Sequence, residues 1–111
     1  MDGHFELPLE TCRIEPVWTI WVELAARDDA RVREALTEAL GLRYGAYSGV
    51  AFETAEGVQF FRPEQGSVAE GHGATVEMPA RVLTFSIPRA PELLALAIET
   101  IRHFHSYEEP V

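Results

Sequence analysis

The residues best equipped for chemistry stand at the end of the chain. His103, His105, Tyr107, Glu108 and Glu109 fall close together and are followed by Pro110 and Val111. Imidazole and carboxylate suit divalent cations, and a His-x-His spacing can put two ring nitrogens on one side of an extended backbone. His103, His105 and Glu109 are therefore the candidate metal ligands. A plainer role competes, because a cation beside the last carbonyls of a helix is favoured whatever else binds. That structural role is the stronger reading for His103. Glu108 and Glu109 have the types needed for acid/base work, but neighbours on a strand face opposite ways and cannot flank one bond.

A second group is Tyr47 and Ser48, set between Gly45 and Gly49. Their hydroxyls could donate to a polar or anionic ligand. Turn chemistry, with the tyrosine ring packed at a subunit contact, accounts for them more simply. His72 lies between two glycines and reads as a solvated loop residue. Cys12 has Arg13 beside it and no histidine nearby, so it lacks the base that a nucleophile needs. No Gly-rich phosphate cradle, Gly-x-Ser-x-Gly or His-Glu-x-x-His pattern occurs, and no catalytic residue is assigned.

These groups need elements to hold them. Residues 1–16, with Pro8 and Pro16, read as an irregular arm, and residues 17–111 as one domain. Residues 17–24 alternate as a strand, with Trp18, Ile20, Val22 and Leu24 on one face. Trp21 breaks the polar side, which suggests that this face is covered by another subunit or by the arm. Asp28 or Asp29 offers an N-cap and Gly41 a stop for a helix carrying Val32, Ala35, Leu36, Ala39 and Leu40. A strand over residues 50–54, a turn at Glu56-Gly57 and a strand over residues 58–62 read as a hairpin. Residues 63–79 read as a mobile loop and residues 81–87 as a strand. Pro91 starts a second helix with Leu94, Ala97, Ile98 and Ile101 as its stripe, widened by Leu93 and Phe104. Residues 107–111 read as a short last strand.

That order predicts an α+β fold: a ferredoxin-like βαββαβ sandwich with two helices on one face of an antiparallel sheet and an extra hairpin strand. The other face must meet water, a ligand or a neighbouring copy. Nine arginines and no lysine stand against 18 acidic residues, a net charge of −9. Such a surface repels phosphates, which argues against nucleic acid. No apolar run is long enough to span a membrane. The single cysteine and the absence of a basic, apolar leader lead to an expected cytoplasmic location.

From about residue 18 to residue 111 the chain resembles the middle domain of the YqfO-like dinuclear-metal-centre proteins, the NGG-interacting-factor family. The resemblance is carried by Gly45-Ala46-Tyr47-Ser48, Phe52-Glu53-Thr54, Phe61-Arg62-Pro63-Glu64-Gln65-Gly66, Ser67 and His105-Ser106-Tyr107-Glu108-Glu109-Pro110. The tail is also similar to the His-Pro-Tyr-Glu segment of CutA-type proteins, with Ser106 in place of proline. The resemblance implies a PII/CutA-like fold assembled as trimers. The flanking domains that supply the family's dinuclear centre lie outside the residues that carry the resemblance, and the arm before Val17 holds a single histidine, His4. The family's hydrolase chemistry is thus not carried over.

The sequence therefore predicts a non-catalytic, oligomer-forming domain that binds a small ligand or a divalent cation between subunits. Tyr47, Ser48, His105, Tyr107 and Glu109 would line that cleft. Two alternatives are a small metal-dependent hydrolase using the terminal His/Glu cluster, and an assembly module docking on a separate protein through its open sheet face.

Overall fold

The computed structural model describes residues 7, 8, 13–65 and 73–105. Its elements are β1 (Leu7–Pro8), β2 (Arg13–Ile14), β3 (Val17–Ala25), α1 (Asp29–Leu40), β4 (Phe52–Glu53), β5 (Gly57–Phe61), β6 (Val76–Pro88) and α2 (Pro91–Phe104). β3, β4, β5 and β6 form one antiparallel sheet of four strands. With two helices on one face, the fold is α+β and ferredoxin-like. Among the described residues no helix is long and apolar enough to cross a membrane.

β3 forms because aromatic and β-branched residues suit a half-buried pleated surface. It pairs with β6 along its whole length, from Val17 opposite Pro88 to Ala25 opposite Ala80. Val22 and Leu24 on β3, with Leu83, Phe85 and Ile87 on β6, face the helices and are buried. Val32 and Leu36 of α1 and Ala97 and Ile101 of α2 close the core from above. Each such aliphatic side chain contributes about 1.5–3 kcal/mol by leaving water. The opposite face carries Thr19, Trp21, Thr84, Ser86 and Phe52.

α1 stops as expected at Gly41, whose φ of 79° lets its N–H reach Thr37 O at 2.8 Å. Its start differs. A 3-10 turn over Ala26–Asp28 leads in, and neither aspartate caps the helix with its side chain. Asp28 instead accepts a hydrogen bond from Arg31 at 2.8 Å. α2 begins on Pro91 with Glu92 in its first turn and ends with Arg102 and His103, matching the helix dipole at both ends. Its buried stripe is Ala97, Thr100 and Ile101, while Ile98 is exposed. The stripe thus takes in Thr100 in place of the expected Ile98.

Glu56-Gly57 does not reverse the chain. Phe52 and Glu53 pair with Thr84 and Leu83, and Gly57 to Phe61 then pair with Ala80 to Val76 of the same strand. Four steps from Glu53 to Gly57 face three steps from Leu83 to Ala80, so one residue is extra. This is a β-bulge. Thr54 fastens it, donating from its N–H to Val82 O at 3.0 Å and accepting at Oγ1 from Val82 N–H at 2.9 Å. Glycine after a polar residue serves a turn and a bulge equally well, and only the distant partner strand decides between them.

The supposed loop over residues 63–79 is strand from Val76 onward. Pro79 lies inside that strand. Its missing N–H does no harm, because that position faces the β3 side of β6 beyond the last paired residue, Ala25. The arm is also less irregular than expected, since Leu7 pairs with Ile14 and Pro8 with Arg13. The expected last strand over residues 107–111 lies outside the described residues.

Candidate functional site

His105 follows α2 directly and is only 7% exposed. Its Nε2 lies 2.8 Å from Glu23 O. A carbonyl only accepts, so Nε2 carries the proton of that bond. The geometry follows from the sheet: Val82 spends its main-chain groups on Thr54, so its neighbour Glu23 points its own away from β6, toward the outer edge. The ring thus ties the end of α2 to the outer edge of β3. His105 N–H also caps the helix by donating to Ile101 O at 2.9 Å. His103 is exposed, with its ring edge-on to Phe104 at 4.7 Å between centroids. Tyr107, Glu108 and Glu109, like His72 and Cys12, lie outside the described residues.

Tyr47 and Ser48 sit on an exposed turn, Tyr47 at 73% exposure. The turn is closed by Tyr44 N–H to Tyr47 O at 2.9 Å and Tyr47 N–H to Tyr44 O at 3.0 Å. Tyr44 borders a groove with Val17 and Pro88, whereas His105 stands against Glu23. Val17 and Glu23 are separated by roughly 20 Å along the strand. Within one chain, then, Tyr47 and Ser48 are not brought together with His105, the described residue of the other group. Among the described residues no group of three His, Cys, Asp or Glu could hold a metal ion.

The groove itself was not foreseen. It has a volume of about 620 Å³ and is walled by Ile14, Val17, Leu42, Val50, Phe52 and Ile87. Buried Leu42 helps to shape it by taking a left-handed conformation, φ 45°, which a branched side chain adopts only where its surroundings require it. Nothing in the spacing of apolar residues signals that conformation.

A second unforeseen cluster lies at the bulge. Glu53 on β4 meets Asp29 at the start of α1, and Arg81 Nε holds Asp29 Oδ2 at 3.4 Å. Burial raises the Glu53 pKa, as do a hydrogen bond to Asp29 and the Asp29 charge, with Arg33 and Arg81 opposing. Two ionised carboxylates cannot donate to each other, and Glu53 Oε2 is buried without a donor. A proton shared between the two carboxyl groups would supply the missing hydrogen, which is the direction in which the Glu53 pKa moves.

On the open face the exposed apolar residues line up. Trp21 is 71% exposed and Phe52 69% exposed, with Thr84 registered between them. Trp18, on the other face, packs against the core with the Arg89 guanidinium 5.2 Å above its ring.

This geometry has a counterpart among solved structures. A Bacillus cereus protein related to NIF3 superposes with a TM-score of 0.70 and 25% identity over 86% of this chain. The chain is related to that NIF3-related protein. It spans 24% of that protein's length. Neither a protein-family model nor a curated protein sequence matches it. The NIF3-related structure agrees with the coarser part of the resemblance seen in the sequence, the relation to NIF3-type proteins.

Proposed function

We propose that this protein is a non-catalytic, PII/CutA-like assembly domain, equivalent to the middle domain of NIF3-related proteins. It forms a homo-oligomer, a trimer by the family resemblance, and takes a small ligand or divalent cation where copies meet. The observation that carries this reading is the open sheet face. Exposed Trp21 and Phe52 stand in one row there on either side of Thr84, with Thr19, Glu23, Val82 and Ser86 as neighbours on the same face. Large aromatics in such a setting are typical centres of protein contacts.

The separation of Tyr47 and Ser48 from His105 fits the same reading. Groups too far apart to act in one chain can meet across a boundary between copies. Tyr107 and Glu109 belong to the proposed cleft by sequence.

Light scattering on the full chain at micromolar concentration tests the assembly. A particle near three times the 12.4 kDa chain mass is expected, and Trp21→Glu should reduce it to the monomer while leaving the circular dichroism spectrum unchanged. A clean monomer for the unaltered chain overturns the proposal. Cation binding is read separately, as a rise in melting temperature on adding zinc or manganese that Trp21→Glu abolishes.

A further inference from the structure

The edge of β6 next to β4 is left unpaired just where the groove lies. Val82 turns its main-chain groups toward Thr54, and these directions alternate along a strand. Thr84 and Ser86 therefore point to the same side. Thr84 meets Phe52 there. Continued in the same register, the chain would set Val50 opposite Ser86 and Gly49 opposite Ile87. It does not continue.

Val50 N–H donates to Leu42 O at 2.9 Å, and Gly49 N–H donates to Gly41 O at 2.9 Å. These bonds draw residues 49 and 50 off the sheet and end β4 at Phe52. The left-handed Leu42 and Gly49, φ 45° and 66°, keep them there. A Cβ on Gly49 would come within 3.3 Å of the Thr37 side chain, so the close approach to α1 also needs that glycine. Among the described residues, none pairs with Ser86 on this side. Its N–H and C=O border an apolar groove whose walls also carry Glu15 and Arg43.

We propose that this groove binds an extended segment of a separate polypeptide, which adds as a strand along Ser86. Main-chain hydrogen bonds to Ser86 would supply affinity, and alternate side chains would enter the apolar walls. The fitting segment has small apolar residues at every second position and carries both a basic and an acidic side chain, to meet Glu15 and Arg43. A net positive charge on the partner suits the −9 of this chain. Strand addition takes place in the plane of the sheet, whereas copies meeting on Trp21 stack on its face. The two proposals therefore fail separately.

The test uses the full chain and a blocked peptide with lysines at one end, alternating valine and threonine in the middle and a glutamate at the other end. Nuclear magnetic resonance titration should shift the Ser86, Val50 and Phe52 amides and slow exchange at Ser86. The same peptide N-methylated at its pairing positions should bind about tenfold more weakly, since its side chains are kept and only its donors are lost. Ser86→Pro should also abolish binding, but the methylated peptide discriminates even if that variant fails to fold. Failure of the peptide to move these amides at millimolar concentration overturns the proposal, as does equal affinity for the methylated form. Protection of Ser86 that grows with protein concentration alone assigns the edge to a second copy and also overturns it.

Discussion

Trp21 and Phe52 flank Thr84 on one face of the sheet, each its registered partner on opposite sides. Three strands thus contribute one lateral row, aromatic at both ends. Adjacent strands lie about 4.8 Å apart, so one flat surface can cover both rings at once. Because neither ring supports the core, their removal separates assembly from folding. Phe52→Ser should weaken assembly by about 2 kcal/mol, roughly 30-fold in the dissociation constant. Monomer stability should stay within about 0.5 kcal/mol in urea. Sedimentation velocity across a dilution series reads the first quantity. An unchanged assembly with a weakened monomer would show that Phe52 serves the fold alone.

Arg31 joins the two helices at their ends. Its guanidinium donates to the buried Asp28 carboxylate at 2.8 Å and, through Nε and a terminal nitrogen, to Phe104 O at 3.1 and 2.8 Å. A fork of this kind satisfies the last turn of α2 from the first turn of α1. Arg31→Ala should cost about 2–3 kcal/mol, most of it from leaving Asp28 inside without that partner. Arg31→Lys keeps the charge but cannot make the fork, and should recover less than half of the loss. Urea unfolding followed by circular dichroism measures both. Equal stability of the lysine variant and the unaltered protein would make the interaction a simple charge effect.

The sequence made the architecture legible wherever a period was strong. β3 and α1 were readable because apolar residues repeat at two and at about 3.6 positions, and Gly41 marks a stop. Trp21 stood out as an aromatic on the wet face, and the structure leaves it exposed. The bulge was not legible, since Glu56-Gly57 reverses or merely kinks a chain according to a partner strand more than twenty residues away. The start of β6 was hidden for a similar reason, since a proline at position 79 is tolerated only because β3 ends short of it. Residues that could bear chemistry are picked out by type, which says nothing of their surroundings. His105 is engaged with a backbone carbonyl contributed by residue 23, a relation that no local pattern encodes. Leu42 and the edge at Ser86 gave no signal at all, because their character lies in backbone conformation and missing partners.

The Glu53–Asp29 contact makes stability depend on pH with a definite sign. In the folded chain the Glu53 pKa is raised above its ordinary 4.5, chiefly by burial and then by its contact with Asp29. Between those two values the folded form holds a proton that the unfolded form has already released. Stability from this group is therefore full below about pH 4.5 and falls as pH rises through the raised value. Above it, two carboxylates face each other and Oε2 remains without a donor. Glu53→Gln gives that contact a permanent donor of nearly the same shape. It should stabilise the protein at neutral pH by about 1 kcal/mol and flatten this part of the profile. The profile is obtained from urea unfolding midpoints between about pH 4 and about pH 8. Parallel profiles for the two proteins would mean that Glu53 keeps no proton in the fold, and that Arg33 and Arg81 outweigh burial at the bulge.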